Sequence, residues 1–202
     1  MKLYFSPGAC SLSPHIVLHE AGLAHTVEKV DLRSKQTASG QDYRSINSKG
    51  YVPALETDSG AILTEGPAIV QYLADQAPDK QLAPAHGTSE RYQMMSSLNF
   101  IGTEIHKNHS PLFNPAASDE LKTNARGNLA QRYAHVEAML EGRDYLGGDR
   151  FSVADVYLFV VTNWAGQVKL DLAAYPNLQA FQKRIAARPA VQQAMRAEGL
   201  MD

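Results

Sequence analysis

The start of the chain alternates between short apolar runs of strand length and one longer segment with helical spacing. Residues 2–5 are predicted to form a strand. The segment after them has apolar residues on one helical face, and Gly22 stands where such a helix would end. Residues 25–30 alternate as a second strand. The opening is therefore a β-α-β unit, with a helix long enough to connect parallel strands, and it is typical of a thioredoxin-like domain.

The apolar runs that follow are shorter and surround a tight turn. Residues 50–57 and 61–63 flank Asp58-Ser59-Gly60, which predicts a β-hairpin. Residues 64–67 then open a further helix, because a proline early in a helix suits its first turn. The predicted N-terminal domain comprises residues 1–77.

From about residue 88 onward the spacing of apolar residues is helical throughout. The polar, proline-rich stretch 78–88 is predicted to be a linker, and 89–202 a helical domain. The fold class is thus an α/β thioredoxin-like N-terminal domain followed by an all-α C-terminal domain. Five helices are predicted in the second domain, at 89–108, 119–141, 152–168, 176–187 and 189–198.

Two features mark these helices. Ser152 and Asp155 have the spacing of a capping box, in which each side chain accepts a hydrogen bond from the backbone at the helix start. The helix at 89–108 carries an apolar core stripe and, beside it, a mostly polar face. That face either is solvated or lines a cleft, and its lack of Lys and Glu keeps the second interpretation open. The stripe is Met94, Leu98, Ile101 and Ile105, and the face is Tyr92, Ser96, Asn99, Thr103 and His106.

Composition narrows the classes of function. The 202 residues are 44% hydrophobic and 20% charged with a net charge of −2, which is ordinary for a globular protein. Nucleic acid is not expected as a partner, because there is no basic excess for polyanions. No apolar run reaches the length of a signal peptide or a membrane span, so we expect a cytoplasmic protein without a membrane partner. The single cysteine, Cys10, excludes an intramolecular disulfide and fits a reducing compartment.

Cys10 is the first candidate for chemistry. It is predicted at the beginning of the first helix, where free amides and the helix dipole lower the pKa of a thiol. A small buried cysteine without chemistry is the alternative. Thioredoxin-like proteins keep their reactive thiol at this point of the β-α-β unit, which favours a reactive Cys10.

Two further segments could bind a peptide-like ligand. We predict a cis bond between Val52 and Pro53, ahead of a short strand, which would turn the Val52 backbone outward to pair with an extended peptide. A trans proline at a strand start is the alternative. Glu65 and Gly66 lie at the start of the next helix. They could bind an ammonium group through the carboxylate and a carboxylate group through the free amides, or they could simply cap the helix.

Two histidine pairs have spacings that could chelate a metal ion from one helix face. They are His15 with His19, and His106 with His109. No cysteine or carboxylate pattern accompanies them, and seven histidines in 202 residues produce such pairs by chance. No metal site is therefore expected.

Together these segments resemble the soluble glutathione transferase family, most of all its bacterial beta class. The resemblance covers the whole chain. One motif alone would be moderate support, whereas all of them in order identify the chain as a member of the family. The matching segments are residues 4–15, Lys35, 50–55, 64–69, 99–107 and 151–155.

The resemblance implies roles for individual residues. Cys10 would face the sulfur of glutathione and form a mixed disulfide with it, and His106 would be the second catalytic residue. Val52 would pair its backbone with the cysteinyl part of glutathione. Glu65 and Gly66 would bind the γ-glutamyl end, although Gly66 departs from the serine of many members. The implied glutathione-binding residues are Ala9, Cys10, Lys35, Tyr51, Val52, Pro53, Glu65, Gly66, Asn99, Thr103, Glu104, Ile105 and His106.

The resemblance also implies an activity and an assembly. The enzyme would conjugate the glutathione thiolate to small hydrophobic electrophiles, with thiol–disulfide exchange through Cys10 as a second activity. It would use glutathione as a co-substrate, need no cofactor and form a homodimer. The sequence does not identify the electrophile, since its pocket is built from variable side chains and loops such as 109–114. Two alternatives stay open: a glutaredoxin-like glutathione-dependent reductase and a non-catalytic binding module of the same fold.

Overall fold

The computed structural model describes all 202 residues and divides the chain into two compact units. The first unit comprises residues 1–83 together with 187–202, and the second comprises 84–186. The break at residue 83 lies inside the predicted linker. Residues 187–202, which the sequence analysis assigns to the C-terminal domain, are grouped with the first unit. None of the helices combines the length and the apolar character that crossing a membrane requires.

A five-stranded sheet forms the centre of the first unit. Its strands are β1 (Lys2–Phe5), β2 (Thr26–Asp31), β3 (Gln36–Thr37), β4 (Ala54–Glu56) and β5 (Ile62–Thr64). Their order is β3-β2-β1-β4-β5, in which β1 and β2 are parallel and the other neighbours are antiparallel. The last three residues of β1, which has a neighbouring strand on each side, are buried.

The strands confirm the predicted β-α-β unit and hairpin, and the first unit contains two short elements that the sequence pattern does not reveal. Strand β3 has only two residues, and a single 3₁₀ turn at Tyr43–Ser45 follows it. Elements this short leave no periodic pattern of apolar residues, so the stretch between the β-α-β unit and the hairpin was predicted only as polar.

The first helix, α1 (Leu12–Ala21), ends at Gly22 as the pattern predicts. Gly22 has a φ of 65°, a left-handed conformation that glycine adopts without steric cost. Ser11 is the N-cap, so Cys10 lies in the turn ahead of the helix and not within it. The second helix, α2 (Gly66–Gln76), packs against α1.

The second unit contains five α-helices. They are α3 (Ser89–Phe100), α4 (Lys107–Phe113), α5 (Asp119–Met139), α6 (Val153–Gln167) and α7 (Pro176–Ala186). Nearly every side chain of α6 is buried, which makes it the central helix of this unit. The predicted capping box is present: Asp155 Oδ2 accepts from the Ser152 N–H at 2.8 Å, and Ser152 Oγ accepts from the Ala154 N–H at 3.3 Å.

The C-terminal helix α8 (Pro189–Ala197) packs against α1, and this contact places it in the first unit. Val191 and Ala194 are fully buried. Just ahead of the helix, Arg188 donates two hydrogen bonds of 2.6 and 2.9 Å to the carboxylate of Glu20 in α1. The amphipathic pattern of α8 predicts an apolar face, but it does not say which surface that face covers.

A π-helical turn, Ile101–His106, joins α3 to α4. Its hydrogen bonds reach back five residues, as from the Lys107 N–H to the Gly102 carbonyl. The helix predicted at 89–108 therefore continues to Phe113, and the predicted loop at 109–114 is wrong for all but its last residue.

Two side chains of α4 donate hydrogen bonds to carbonyl groups of the π turn. The Asn108 amide donates to the Glu104 carbonyl at 2.7 Å. The His109 Nδ1–H donates to the Ile105 carbonyl at 3.0 Å. These two bonds stabilise a turn whose position in the sequence coincides with the segment implied to bind glutathione.

Candidate functional site

Cys10 lies in the turn between β1 and α1, and its neighbours hold that turn closed. Ser11 Oγ accepts from the Ser6 N–H at 3.1 Å and lies 3.2 Å from the Ser6 carbonyl, to which it donates. The Gly8 N–H donates to Glu198 Oε2 at 2.9 Å. The turn is therefore tied to the start of α1 and to the C-terminal segment of the same unit.

The thiol of Cys10 points at the backbone ahead of Pro53. Its Sγ donates to the Val52 carbonyl over 3.3 Å. The Val52–Pro53 peptide bond is cis, as predicted. The Val52 N–H donates to no group of the chain. The fold thus brings together two segments 42 residues apart, as the implied glutathione site requires.

The predicted lowering of the Cys10 pKa is wrong. Burial raises the pKa of the thiol from 9.0 to about 12, and the Glu65 carboxylate raises it as well. The backbone amides of Cys10 and Ser11 lower the pKa, as expected near a helix start, but burial outweighs them. In this state Cys10 is therefore a protonated hydrogen-bond donor and not a thiolate.

Glu65 precedes α2 in a strained backbone conformation with φ 71° and ψ 110°. Such a conformation costs a residue with a side chain on the order of 1–3 kcal/mol. Its carboxylate binds the Lys49 ammonium group and lies within electrostatic reach of the Cys10 thiol. A Cβ built on Gly66 would meet the Pro53 ring at 3.8 Å, so the start of α2 and the proline are neighbours.

Lys35 lies in the turn ahead of β3, and Tyr51 lies on the loop that leads to Val52. Lys35 Nζ donates to the Gly50 carbonyl at 2.9 Å and lies 5.8 Å from the centre of the Tyr51 ring. That ring is 70% exposed. Ala9 packs against the small core beneath this loop, which includes Val52. All the implied glutathione-binding residues of the first unit therefore lie on the Cys10 turn, on this loop, in contact with it as Lys35 does, or at the start of α2.

The second unit carries the remaining predicted residues along α3 and the π turn. Asn99 and Thr103 are exposed, and Thr103 Oγ1 donates to the Asn99 carbonyl at 3.0 Å. Glu104 forms an ion pair of 2.8 Å with Arg132. The Ile105 side chain is fully buried, which leaves only its backbone for a ligand.

His106 is half-buried and is held by aromatic neighbours. Its Nδ1 lies 2.6 Å from the Tyr157 hydroxyl, which fixes the orientation of the ring. The Trp164 ring packs edge-on against it, with centroids 4.8 Å apart. The imidazole is therefore presented in one orientation by residues of α6.

Two family models match the chain. The glutathione S-transferase N-terminal domain matches residues 8–76, and the glutathione S-transferase C-terminal domain matches residues 100–189. The chain belongs to the glutathione S-transferase family. The curated glutathione S-transferase GstA of Escherichia coli O157:H7 is 46% identical over 200 residues, which cover 99% of this chain and 100% of that protein.

Solved glutathione S-transferases match over the full length. A ternary complex of BphK, a bacterial enzyme, has 61% identity and a TM-score of 0.98 and covers 99% of this chain and 100% of its own. A sphingomonad enzyme complexed with glutathione has 50% identity and a TM-score of 0.96, with 100% of both chains covered. The beta class enzyme of Sphingomonas chungbukensis has 49% identity and a TM-score of 0.97, with 100% of both covered. These matches confirm the predicted family, beta class, fold and enzyme activity.

Several residues that support the site of this glutathione S-transferase were not predicted. The Tyr51 carbonyl accepts from the Tyr43 hydroxyl at 2.9 Å and from the Asn47 amide at 2.7 Å, which fixes the loop ahead of Val52. Lys49 binds Glu65. Nothing in the spacing of these residues distinguishes them from ordinary loop residues, since their partners are set by the folded loop.

Proposed function

We propose that this glutathione S-transferase conjugates the thiolate of glutathione to small hydrophobic electrophiles, with the glutathione sulfur beside Cys10. The observation that carries the proposal is the 3.3 Å contact between Cys10 Sγ and the Val52 carbonyl. This contact places a thiol next to backbone that an extended peptide can pair with. The relative solved with glutathione supports the choice of peptide.

The parts of glutathione correspond to features of the first unit. The Val52 N–H, which has no partner in the chain, suits the backbone of the cysteinyl residue. The Glu65 carboxylate suits the α-ammonium group, which would take the place of Lys49. The backbone N–H of Gly66, at the start of α2, suits the α-carboxylate. Ala9, Lys35, Tyr51 and Pro53 would line the same region, while Asn99, Thr103, Glu104, Ile105 and His106 stay predictions from the resemblance.

A protonated Cys10 suits conjugation. A neutral S–H group can donate a hydrogen bond to the glutathione thiolate, whereas a Cys10 thiolate would repel it. In the reaction the glutathione thiol gives its proton to solvent and its sulfur forms a bond to the electrophilic carbon. The leaving group departs with the bonding electron pair. Cys10 therefore acts through its hydrogen bond and need not ionise.

Thiol–disulfide exchange is a second activity that Cys10 supports. Its sulfur, after losing the proton to solvent, attacks the glutathione sulfur of a mixed disulfide and releases the other thiol. The thiolate of a free glutathione then attacks the Cys10–glutathione disulfide, which yields oxidised glutathione and restores Cys10. Each step exchanges one S–S bond for another. The raised pKa of Cys10 makes the first step slow at neutral pH, so we place conjugation first.

The variants Cys10→Ala and Cys10→Ser test this division of roles. Turnover is measured with a chlorinated aromatic acceptor and with a glutathione mixed disulfide, and intact mass is measured after incubation with oxidised glutathione. Both variants should lose the covalent adduct and the exchange activity. Conjugation should fall in part in Cys10→Ala and less in Cys10→Ser, since the hydroxyl still donates a hydrogen bond. Loss of conjugation with exchange intact would contradict the assignment.

The same measurements separate the alternatives. A glutaredoxin-like reductase would turn over the mixed disulfide well and the aromatic acceptor poorly. A non-catalytic module would turn over neither, and failure to bind immobilised glutathione would favour it. The raised pKa of Cys10 favours the transferase over the reductase, because exchange depends on the thiolate.

We also propose that the enzyme is a cytoplasmic homodimer that takes part in detoxification. The family resemblance supports the dimer, and a single cysteine without a disulfide partner fits a reducing compartment. Light scattering coupled to size-exclusion chromatography measures the mass of the assembly. Cell fractionation followed by immunodetection tests the location.

A further inference from the structure

Three histidines of the first unit lie together away from Cys10. His15 and His19 are one helical turn apart in α1, and His25 directly precedes β2. The ring centroids are 5.2 Å apart for His15 and His19, 5.8 Å for His15 and His25, and 5.0 Å for His19 and His25. One ring nitrogen of each residue lies within 4.8 Å of the others. The histidine cluster is therefore compact enough for one ion.

Hydrogen bonds set the tautomers of two of these rings. His15 Nδ1 lies 2.9 Å from Glu198 Oε1, a carboxylate that can only accept when ionised. His25 Nδ1 lies 2.8 Å from the Leu23 carbonyl, which also only accepts. Both Nδ1 atoms therefore carry the proton, and in the neutral rings Nε2 carries the lone pair. A carboxylate or carbonyl on the far nitrogen is the usual support of a histidine that ligates a metal.

A ring nitrogen of His19 is a second, independent indication that the histidine cluster binds a ligand. The Nε2 of His19 is buried and forms no hydrogen bond within the chain. A buried polar nitrogen without a partner costs free energy, so such atoms are rare in folded proteins. Burial and the two neighbouring rings lower the pKa of His19, because each disfavours the charged form of the ring.

We propose that His15, His19 and His25 bind one divalent transition-metal ion of the class that prefers imidazole, of which Zn²⁺ is the representative. In tetrahedral Zn²⁺ sites each bond to histidine nitrogen is about 2.0–2.1 Å, which sets the nitrogens about 3.4 Å apart. Small rotations of the partly exposed His19 and His25 side chains close the remaining gap from 4.8 Å. The fourth position would be left to water or an external ligand. Glu198, behind His15, offsets part of the ion's charge.

A metal ion in the histidine cluster would differ from the expectation that the chain has no metal site. The spacing of His15 and His19 offered only two ligands, and His25 joins them through the fold alone. The other candidate pair has no such support. Both nitrogens of His109 are engaged, Nδ1 by the Ile105 carbonyl and Nε2 by the Tyr133 hydroxyl at 3.0 Å.

The test uses the full-length protein freed of metal by a chelator. Zn²⁺ is titrated against a competing chromophoric chelator, and Co²⁺ is titrated while its visible absorption is recorded. We expect one ion per chain and the intense absorption of tetrahedral Co²⁺. The variants His19→Gln and His25→Gln should each weaken binding by about tenfold or more, because each removes one of three protein ligands. Zn²⁺ should also raise the melting temperature of the unsubstituted protein more than that of either variant.

Two matched variants control the experiment. His135→Gln removes an exposed histidine of the second unit whose ring contacts Phe100, and it should bind Zn²⁺ as the unsubstituted protein does. Cys10→Ala should retain the ion as well, because the thiol is not among the ligands. The proposal is overturned if the unsubstituted protein binds no Zn²⁺, or if His19→Gln and His25→Gln bind it as tightly as the unsubstituted protein does. Loss of binding in Cys10→Ala would do the same. If His19→Gln does not fold, His25→Gln decides alone, since His25 lies outside the helix.

Discussion

The clearest quantitative expectation concerns the reactivity of Cys10 in the absence of glutathione. Burial raises the pKa of the thiol from 9.0 to about 12. At any pH well below both values, about a thousandfold less thiolate is present than in an unshifted cysteine, since one pKa unit is a factor of ten. Alkylation by iodoacetamide depends on the thiolate, so Cys10 should react about a thousandfold more slowly than a free cysteine near neutral pH.

The rate can be followed without ambiguity by intact mass, because Cys10 is the only cysteine. The logarithm of the rate should rise linearly through the alkaline range without reaching a plateau. Glu65→Gln should increase the rate several-fold, because the carboxylate raises the pKa of the thiol. Glu56→Gln is the matched control, since Glu56 does not contribute to that pKa. A plateau near neutral pH, or equal rates in the two glutamine variants, would refute the reasoning.

Three further predictions concern stability. Because Glu65 has a φ of 71°, Glu65→Gly should be more stable than Glu65→Ala by about 1 kcal/mol in urea titrations, although both lose the carboxylate. Burial raises the pKa of Asp155 from 3.8 to about 6, because it disfavours the charged carboxylate. Protonation of Asp155 therefore stabilises the folded state fully below pH 3.8, and this contribution to the free energy of unfolding is lost as the pH rises through 6. The free energy of unfolding of Asp155→Asn should therefore rise, relative to that of the unsubstituted protein, by up to about 3 kcal/mol across that pH range, as measured by urea titrations at each pH. Arg188→Ala leaves the largely buried Glu20 unpaired and should lower stability by about 1–3 kcal/mol, with Arg188→Lys intermediate in thermal melts.

The sequence predicted correctly those elements whose ends are set by residues close together in the sequence. The apolar spacing of α1 and the glycine after it give the C-terminal end of that helix. The capping box at Ser152 marks the start of α6 because both of its partners lie within one turn. The hairpin of β4 and β5 follows from a three-residue turn between two short apolar runs.

Features that depend on distant residues were missed or mispredicted. The position of Cys10 near a helix start predicts a lowered pKa, but the burial that reverses its sign comes from the folded surroundings of the thiol. The pattern of α8 shows an apolar face, yet only the fold shows that α1 covers it. His25 belongs to no spacing motif and meets His15 and His19 through the turn after Gly22.

The C-terminal segment completes the surroundings of the turn that carries Cys10. Glu198 is buried, and a buried carboxylate is stable only where donors replace its lost water. Two donors do so: the Gly8 N–H binds Oε2 at 2.9 Å, and His15 Nδ1 lies 2.9 Å from Oε1. The turn that carries Cys10, the first helix and the last residues of the chain are therefore parts of one hydrogen-bonded structure. An ion on His15 Nε2 would act on that structure from the opposite side of the same ring, so metal binding and the order of the Cys10 turn would be linked through Glu198.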